Sequence, residues 1–167
     1  MILQTERLTL RELTEDDAPF ILELVNGVPF RENIGDRGVR DLDGARTYIA
    51  GVRESYAKNG FGLWRAGLKA SDEPIGVCGL VKRDSLPIPD VGYALLEPFW
   101  GQGLASECAA ATLDYGLNVL NIPVIAAITK EHNKGSMAVL GKIGMTYLGL
   151  RQLDGHDEPS SYFEMAR

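Results

Sequence analysis

The chain is poor in the residues that build metal centres and disulfide frameworks, with two cysteines and two histidines among 167 residues. Cys78 lies in the apolar run from Ile75 to Val81 and Cys108 lies among alanines, so both read as small buried residues. Neither has a histidine close in sequence to activate it as a nucleophile. His132 and His156 stand at no zinc-ligand spacing from the cysteines, so no metal is expected. Long apolar runs are also missing; none approaches the ~20 residues of a bilayer-spanning helix. The start, Met1 to Arg7, lacks the basic-then-apolar layout of a secretory leader. The expectation is a cytoplasmic protein that does not span a membrane. Basic excess is absent too. The net charge is −6 and no basic stripe stands out, which argues against a nucleic-acid partner.

What is present reads as one globular domain over residues 1–167, with no repeat, low-complexity tract or domain-sized linker. Thr5 to Arg11 alternates polar and apolar, predicting a first strand. Thr14 before Glu15-Asp16-Asp17 reads as an N-cap with an acidic first turn. Phe20, Ile21, Leu24 and Val25 give that helix its apolar stripe, and Gly27 and Pro29 are read as its end. Residues 30–40 are expected to be irregular. Asp43 to Lys58 is predicted as a helix, stopped by Asn59-Gly60. Strands are predicted over Gly62–Leu68, Ile75–Lys82 and Asp90–Leu96. Leu104 to Leu120 reads as a helix rich in small residues and Val124 to Ile128 as a short strand. Asn133 to Lys142 is a helix capped by Gly144, and Met145–Gly149 and Ser161–Met165 are closing strands. The order predicts an α+β domain, with helices flanking a mixed, mostly antiparallel sheet.

One segment carries chemistry. Gly101 and Gly103 stand between a strand and a helix, where glycine permits unusual backbone angles and close approach by a ligand. The first amides of the following helix lack internal partners and, with the helix dipole, form an anion site. Ser106 adds a hydroxyl donor, and the apparatus suits a pyrophosphate held by backbone amides. A P-loop is excluded because Gly-Lys-Ser/Thr is absent. A dinucleotide fingerprint fits poorly, since Ser106 stands where the third glycine belongs and several strands precede the loop.

Tyr93-Ala94-Leu95-Leu96-Glu97-Pro98-Phe99-Trp100-Gly101-Gln102-Gly103-Leu104-Ala105-Ser106-Glu107 resembles the pyrophosphate-loop motif of GNAT superfamily N-acetyltransferases, in particular the RimJ/RimL-like branch. Thr5-Glu6-Arg7-Leu8 with Leu10-Arg11 resembles that branch's first strand. His132-Asn133 with Ser136, followed by Leu140, Lys142, Ile143, Gly144 and Met145, resembles a third motif. Met145 replaces the usual Phe, and Trp100 stands where the wider superfamily often has Gln or Arg.

The resemblance implies the GNAT fold and transfer of an acetyl group from acetyl-CoA to a primary amine by direct attack. The acceptor would be a peptide N-terminus or a small molecule, and the protein a monomer or homodimer. It implies that Ala94, Leu95 and Leu96 meet the pantetheine arm, with a backbone amide of the Tyr93–Leu96 strand as oxyanion donor. Gly101, Gln102, Gly103, Leu104, Ala105 and Ser106 would hold the pyrophosphate. Asn133 would meet the co-substrate, or simply cap its helix. Ser136 would protonate the departing thiolate. No general base stands out; Asp90, Glu97, Asp157 and Glu158 are nominees, each also readable as a solvated carboxylate. Tyr93 and Tyr147 read as core residues with a polar tip. Residues 30–40 and 154–160 would flank the acceptor. A non-catalytic acyl-CoA-binding module and a dinucleotide-binding enzyme stay open beside this reading.

Overall fold

A computed structural model describes residues 1–167. The strands are β1 (Leu3–Gln4), β2 (Leu8–Glu12), β3 (Leu63–Leu68), β4 (Pro74–Val81), β5 (Asp90–Leu95), β6 (Val124–Lys130), β7 (Thr146–Arg151) and β8 (Ser160–Ala166). The helices are α1 (Ala18–Asn26), α2 (Val28–Asn33), α3 (Leu42–Asn59), α4 (Leu104–Asp114) and α5 (Lys134–Lys142). The strands form one sheet in the order β1-β2-β3-β4-β5-β6-β8-β7. Every neighbouring pair is antiparallel except β5 and β6.

Alternation along the strands sends side chains to two apolar layers. Leu8, Leu10, Trp64, Leu80 and Val91 join Leu104, Cys108 and Leu113 of α4 in the larger cluster. Trp64 is 1% exposed and meets Tyr115 edge-on, with ring centroids 5.6 Å apart. On the opposite face Val77 packs with Phe20, Ile21, Leu24 and Val25 of α1 and with Ala45 and Ile49 of α3. The stripe predicted for α1 is the stripe it buries.

Four local features depart from the sequence reading. Gly27 and Pro29 do not simply end a helix, because Pro29 sits in the first turn of α2, where its missing amide costs nothing. The segment from residue 30 is therefore helical to Asn33. Thr14 precedes a single 3₁₀ turn, Glu15–Asp17, before α1 begins. The helix expected to run to Leu120 passes into a π-helical turn over Tyr115–Val119. Tyr147 is not a core residue: it lies on the edge strand β7 and is 48% exposed, although its ring leans on Phe163.

Candidate active site: a cleft between two parting strands

The only parallel pair is where the sheet opens. β5 and β6 are in register at one position, Asp90 opposite Ala126, where the Ala126 amide donates to the Pro89 carbonyl over 2.9 Å. Beyond that point the strands part and a cavity of about 840 Å³ opens between them. Peptide groups of β5 alternate between its two neighbours. The Leu96 amide donates to Ile75 on β4 over 2.8 Å, and Ala94, in register with Val77, turns its peptide groups the same way. By the alternation, the Tyr93 and Leu95 amides face the opening. The Leu95 carbonyl is already engaged, accepting from the Trp100 indole N–H at 2.9 Å. Trp100 thus ties the following loop to the end of β5.

That loop reaches Gly103, which caps α4 with φ +78°, while Gly101 has φ +73°. Both angles favour glycine. None of the amides from Gly101 to Ser106 has an intramolecular acceptor, and the Glu107 amide, donating to Gly103, is the first that does. A run of six free N–H groups at a helix N-terminus is a place where an anion can bind, and all but Gln102 belong to residues that line the cavity. Arg7, from the turn before β2, fixes its outer side. Its Nη1 donates to the Gln102 carbonyl over 2.9 Å and its Nε to Glu107 Oε1 over 3.1 Å. Thr5 Oγ1 donates to Glu107 Oε2 over 2.8 Å.

Of the residues singled out in the sequence, Ala94, Leu95, Gly101, Gly103, Leu104, Ala105, Ser106, Asn133 and Ser136 line the cavity. Leu96 and Gln102 do not. The Leu96 amide is held by β4, and the Gln102 side chain bends back to donate to the Pro98 carbonyl over 3.1 Å. Asn133 caps α5, its Oδ1 accepting from the Ser136 amide at 3.1 Å. Ser136 Oγ lies 2.7 Å from the Tyr93 hydroxyl. Burial pushes that phenol up to about 12, so it stays neutral and able to donate.

Asp90 is not a solvated carboxylate, being 1% exposed. Its Oδ1 accepts from Arg83 Nε at 2.9 Å. Burial raises its pKa, with the Arg83 charge and hydrogen bond working against that rise. Sequence reasoning missed Arg83, which pairs across a proline-rich turn, and the clamp made by Arg7; the only signal for Arg7 was its place in the first motif. Glu97, Asp157 and Glu158 are exposed and lie outside the cavity lining. Of the two segments expected to flank the acceptor, 30–40 contributes Phe30, Asn33, Ile34 and Arg37, while 154–160 contributes nothing. Both cysteines are buried free thiols. The Cys108 thiol is held in its protonated form by Cys78 and by burial, which suits a packing role.

Residues 7–146 match the family model for the acetyltransferase (GNAT) domain. The chain belongs to the GNAT acetyltransferase family. It is 31% identical to the Bacillus subtilis protein YkkB over 147 residues, covering 87% of this chain and 85% of that one. An acetyltransferase from Agrobacterium tumefaciens superimposes with a TM-score of 0.85 at 27% identity, over 99% of this chain and 94% of that one. The ribosomal L7/L12 acetyltransferase RimL, solved in complex with coenzyme A, shares the fold. Its TM-score is 0.85 at 20% identity, over 99% of this chain and 97% of RimL. This is the mostly antiparallel GNAT sheet with flanking helices, and its single parallel pair sets aside a doubly wound dinucleotide fold.

Proposed function

We propose that this GNAT chain is a cytoplasmic, acetyl-CoA-dependent N-acetyltransferase. It moves the acetyl group to a primary amine, a protein N-terminus or a small molecule, by direct attack within a ternary complex. The observation that carries this reading is the run of six unpartnered amides, Gly101 to Ser106, at the mouth of the opening between β5 and β6. Such a run of free amides suits the negative charge of a pyrophosphate. The free amides of β5 continue from it into the cavity, so the pantetheine arm would lie as an extra strand partner beside Tyr93 and Leu95.

The chemistry follows from the same frame. The acceptor nitrogen must be neutral to attack, so its proton passes to a base, directly or through water. Asp90 fits that task, as a cavity carboxylate whose proton affinity is raised by burial. As the nitrogen bonds to the thioester carbon, charge develops on the carbonyl oxygen. The Tyr93 and Leu95 amides are the available donors. The carbon–sulfur bond then breaks, the thiolate takes a proton from Ser136, whose hydroxyl is held by Tyr93, and the proton that the new amide nitrogen gives up returns through water to Ser136.

The test is thermal stability with acetyl-CoA, NAD and ATP in parallel, followed by CoA release across an amine panel. A melting-temperature rise with acetyl-CoA alone is expected, because a ligand that binds only the native state stabilises it. No shift at saturating acetyl-CoA would remove the proposal. A shift without turnover of any amine would favour a non-catalytic acyl-CoA-binding module.

A further inference from the structure

The protein carries a net charge of −6, yet its cavity has the opposite balance. Arg37, Arg83, Lys134 and Lys142 line it, against a single carboxylate, Asp90. Lys134 and Lys142 are the first and last residues of α5. Arg37 comes from the segment between α2 and α3 and Arg83 from the turn between β4 and β5.

Around Asp90 the charges do not cancel. Asp90 is engaged by Arg83 through Nε only, so both Nη groups of Arg83 keep their donors. Arg37 makes no ion pair or side-chain hydrogen bond, whereas nearby Arg40 is closed off by Asp36. Both free forks line the same cavity, together with Tyr48. Guanidinium forks match a carboxylate, whose two oxygens accept parallel hydrogen bonds. A polycation entering here would meet two arginines and one carboxylate that is already paired with Arg83.

We infer that the acceptor is an amine that also carries a carboxylate, with the carboxylate seated on Arg37 and the free Nη groups of Arg83. This rests on the acetyltransferase reading above and narrows its substrate class. The carboxylate could be that of a free amino acid or an acidic side chain next to a peptide N-terminus. The covalent step is unchanged: the amine forms the amide bond, the thioester carbon–sulfur bond breaks, and CoA leaves as the thiol.

The experiment measures kcat/KM for CoA release with two matched pairs, alongside the Kd of acetyl-CoA by calorimetry. Alanine against alaninamide probes the free amino acid. Alanyl-aspartyl-alanine amide against its asparaginyl counterpart probes the peptide, and spermidine serves as the polycation. The carboxylate member of one pair is expected to be favoured by about tenfold or more, the scale of a charge-assisted hydrogen-bonded pair. Arg37→Met should bring that ratio towards one without moving the acetyl-CoA Kd, and Arg37→Lys should restore part of it. Equal or better use of the neutral members, preference for spermidine, or acetyl-CoA binding with no acetylation of either pair would overturn the inference. Failure of the wild-type protein to bind acetyl-CoA would instead remove the acetyltransferase reading, and this inference with it.

Discussion

Arg7 Nη1 donates to the Gln102 carbonyl over 2.9 Å, joining the segment before β2 to the loop before α4 across 95 positions of chain. In a trans peptide the carbonyl and the next N–H point in opposite directions, and the chain contains no cis peptide. Holding the Gln102 carbonyl outward therefore directs the Gly103 amide inward, to the cavity that Gly103 lines. Replacing Arg7 by alanine is expected to raise the Kd of acetyl-CoA by about tenfold, the weight of one to two hydrogen bonds. At saturating acetyl-CoA, kcat should change little, because Arg7 is not part of the cavity lining. Calorimetry with initial rates separates the two effects, and an unchanged Kd would show that the loop holds its shape without the clamp.

Tyr93 and Ser136 make the second testable pair, hydroxyl to hydroxyl at 2.7 Å. If Ser136 protonates the leaving thiolate, Ser136→Ala should lower kcat by about a hundredfold, the low end of acid–base contributions. Tyr93→Phe should lower it by less, about tenfold, through loss of positioning alone. Residues acting as one unit are not additive, so the double variant should be no slower than Ser136→Ala. Additive losses would mean that the two hydroxyls act separately.

Much of this frame is legible in the chain itself, because periodicity and turn chemistry are local. The apolar stripe of α1, the Asn59-Gly60 stop and the Gly101–Ser106 loop all lie within short windows. What is not legible depends on distant partners. Nothing near Asp90 announces that it is buried, since its partner Arg83 comes back to it across a proline-rich turn. The parting of β5 from β6 is a relation between strands some thirty residues apart in sequence. The Leu96 amide is lost to β4 for the same kind of reason, because register decides which neighbour a peptide group faces. The start of α2 was hidden by Pro29, a residue that can end one helix and open another.

Asp17 supplies a stability test with a defined direction in pH. It is 6% exposed and accepts from Arg11 Nη1 and Nη2 at 2.8 and 2.9 Å and from the Thr14 amide at 2.8 Å. Burial raises its pKa, but the Arg11 hydrogen bonds and the Thr14 amide outweigh that and hold it below the ordinary carboxylate value. A depressed folded pKa stabilises above the unfolded value of about 3.9 and is lost as pH falls through the lower folded value. Asp17→Asn should therefore cost about 2 kcal/mol at pH 7, the scale of hydrogen bonds to a charged group, since Arg11 is itself a third exposed. Urea unfolding at neutral pH and again below pH 4 should show the gap between wild type and variant closing in acid. A gap that does not change with pH would assign the loss to packing.

Asp90 gives the corresponding test for activity. Its pKa is raised by burial, with Arg83 opposing, so the proton-accepting form fills only at higher pH than for an exposed carboxylate. If it takes the proton from the acceptor amine, kcat should rise with pH through that raised value and then level off. Asp90→Asn should lower kcat by about 10²–10⁴-fold, the range for a positioned base, and remove that limb of the profile. Acetyl-CoA binding should be unaffected, because the cradle from Gly101 to Ser106 is built without Asp90. A variant that keeps the wild-type pH profile and loses only apparent acceptor affinity would instead make Asp90 a positioning residue for Arg83. The proton would then leave through water, and the raised pKa would reflect burial of the ion pair beneath the acceptor.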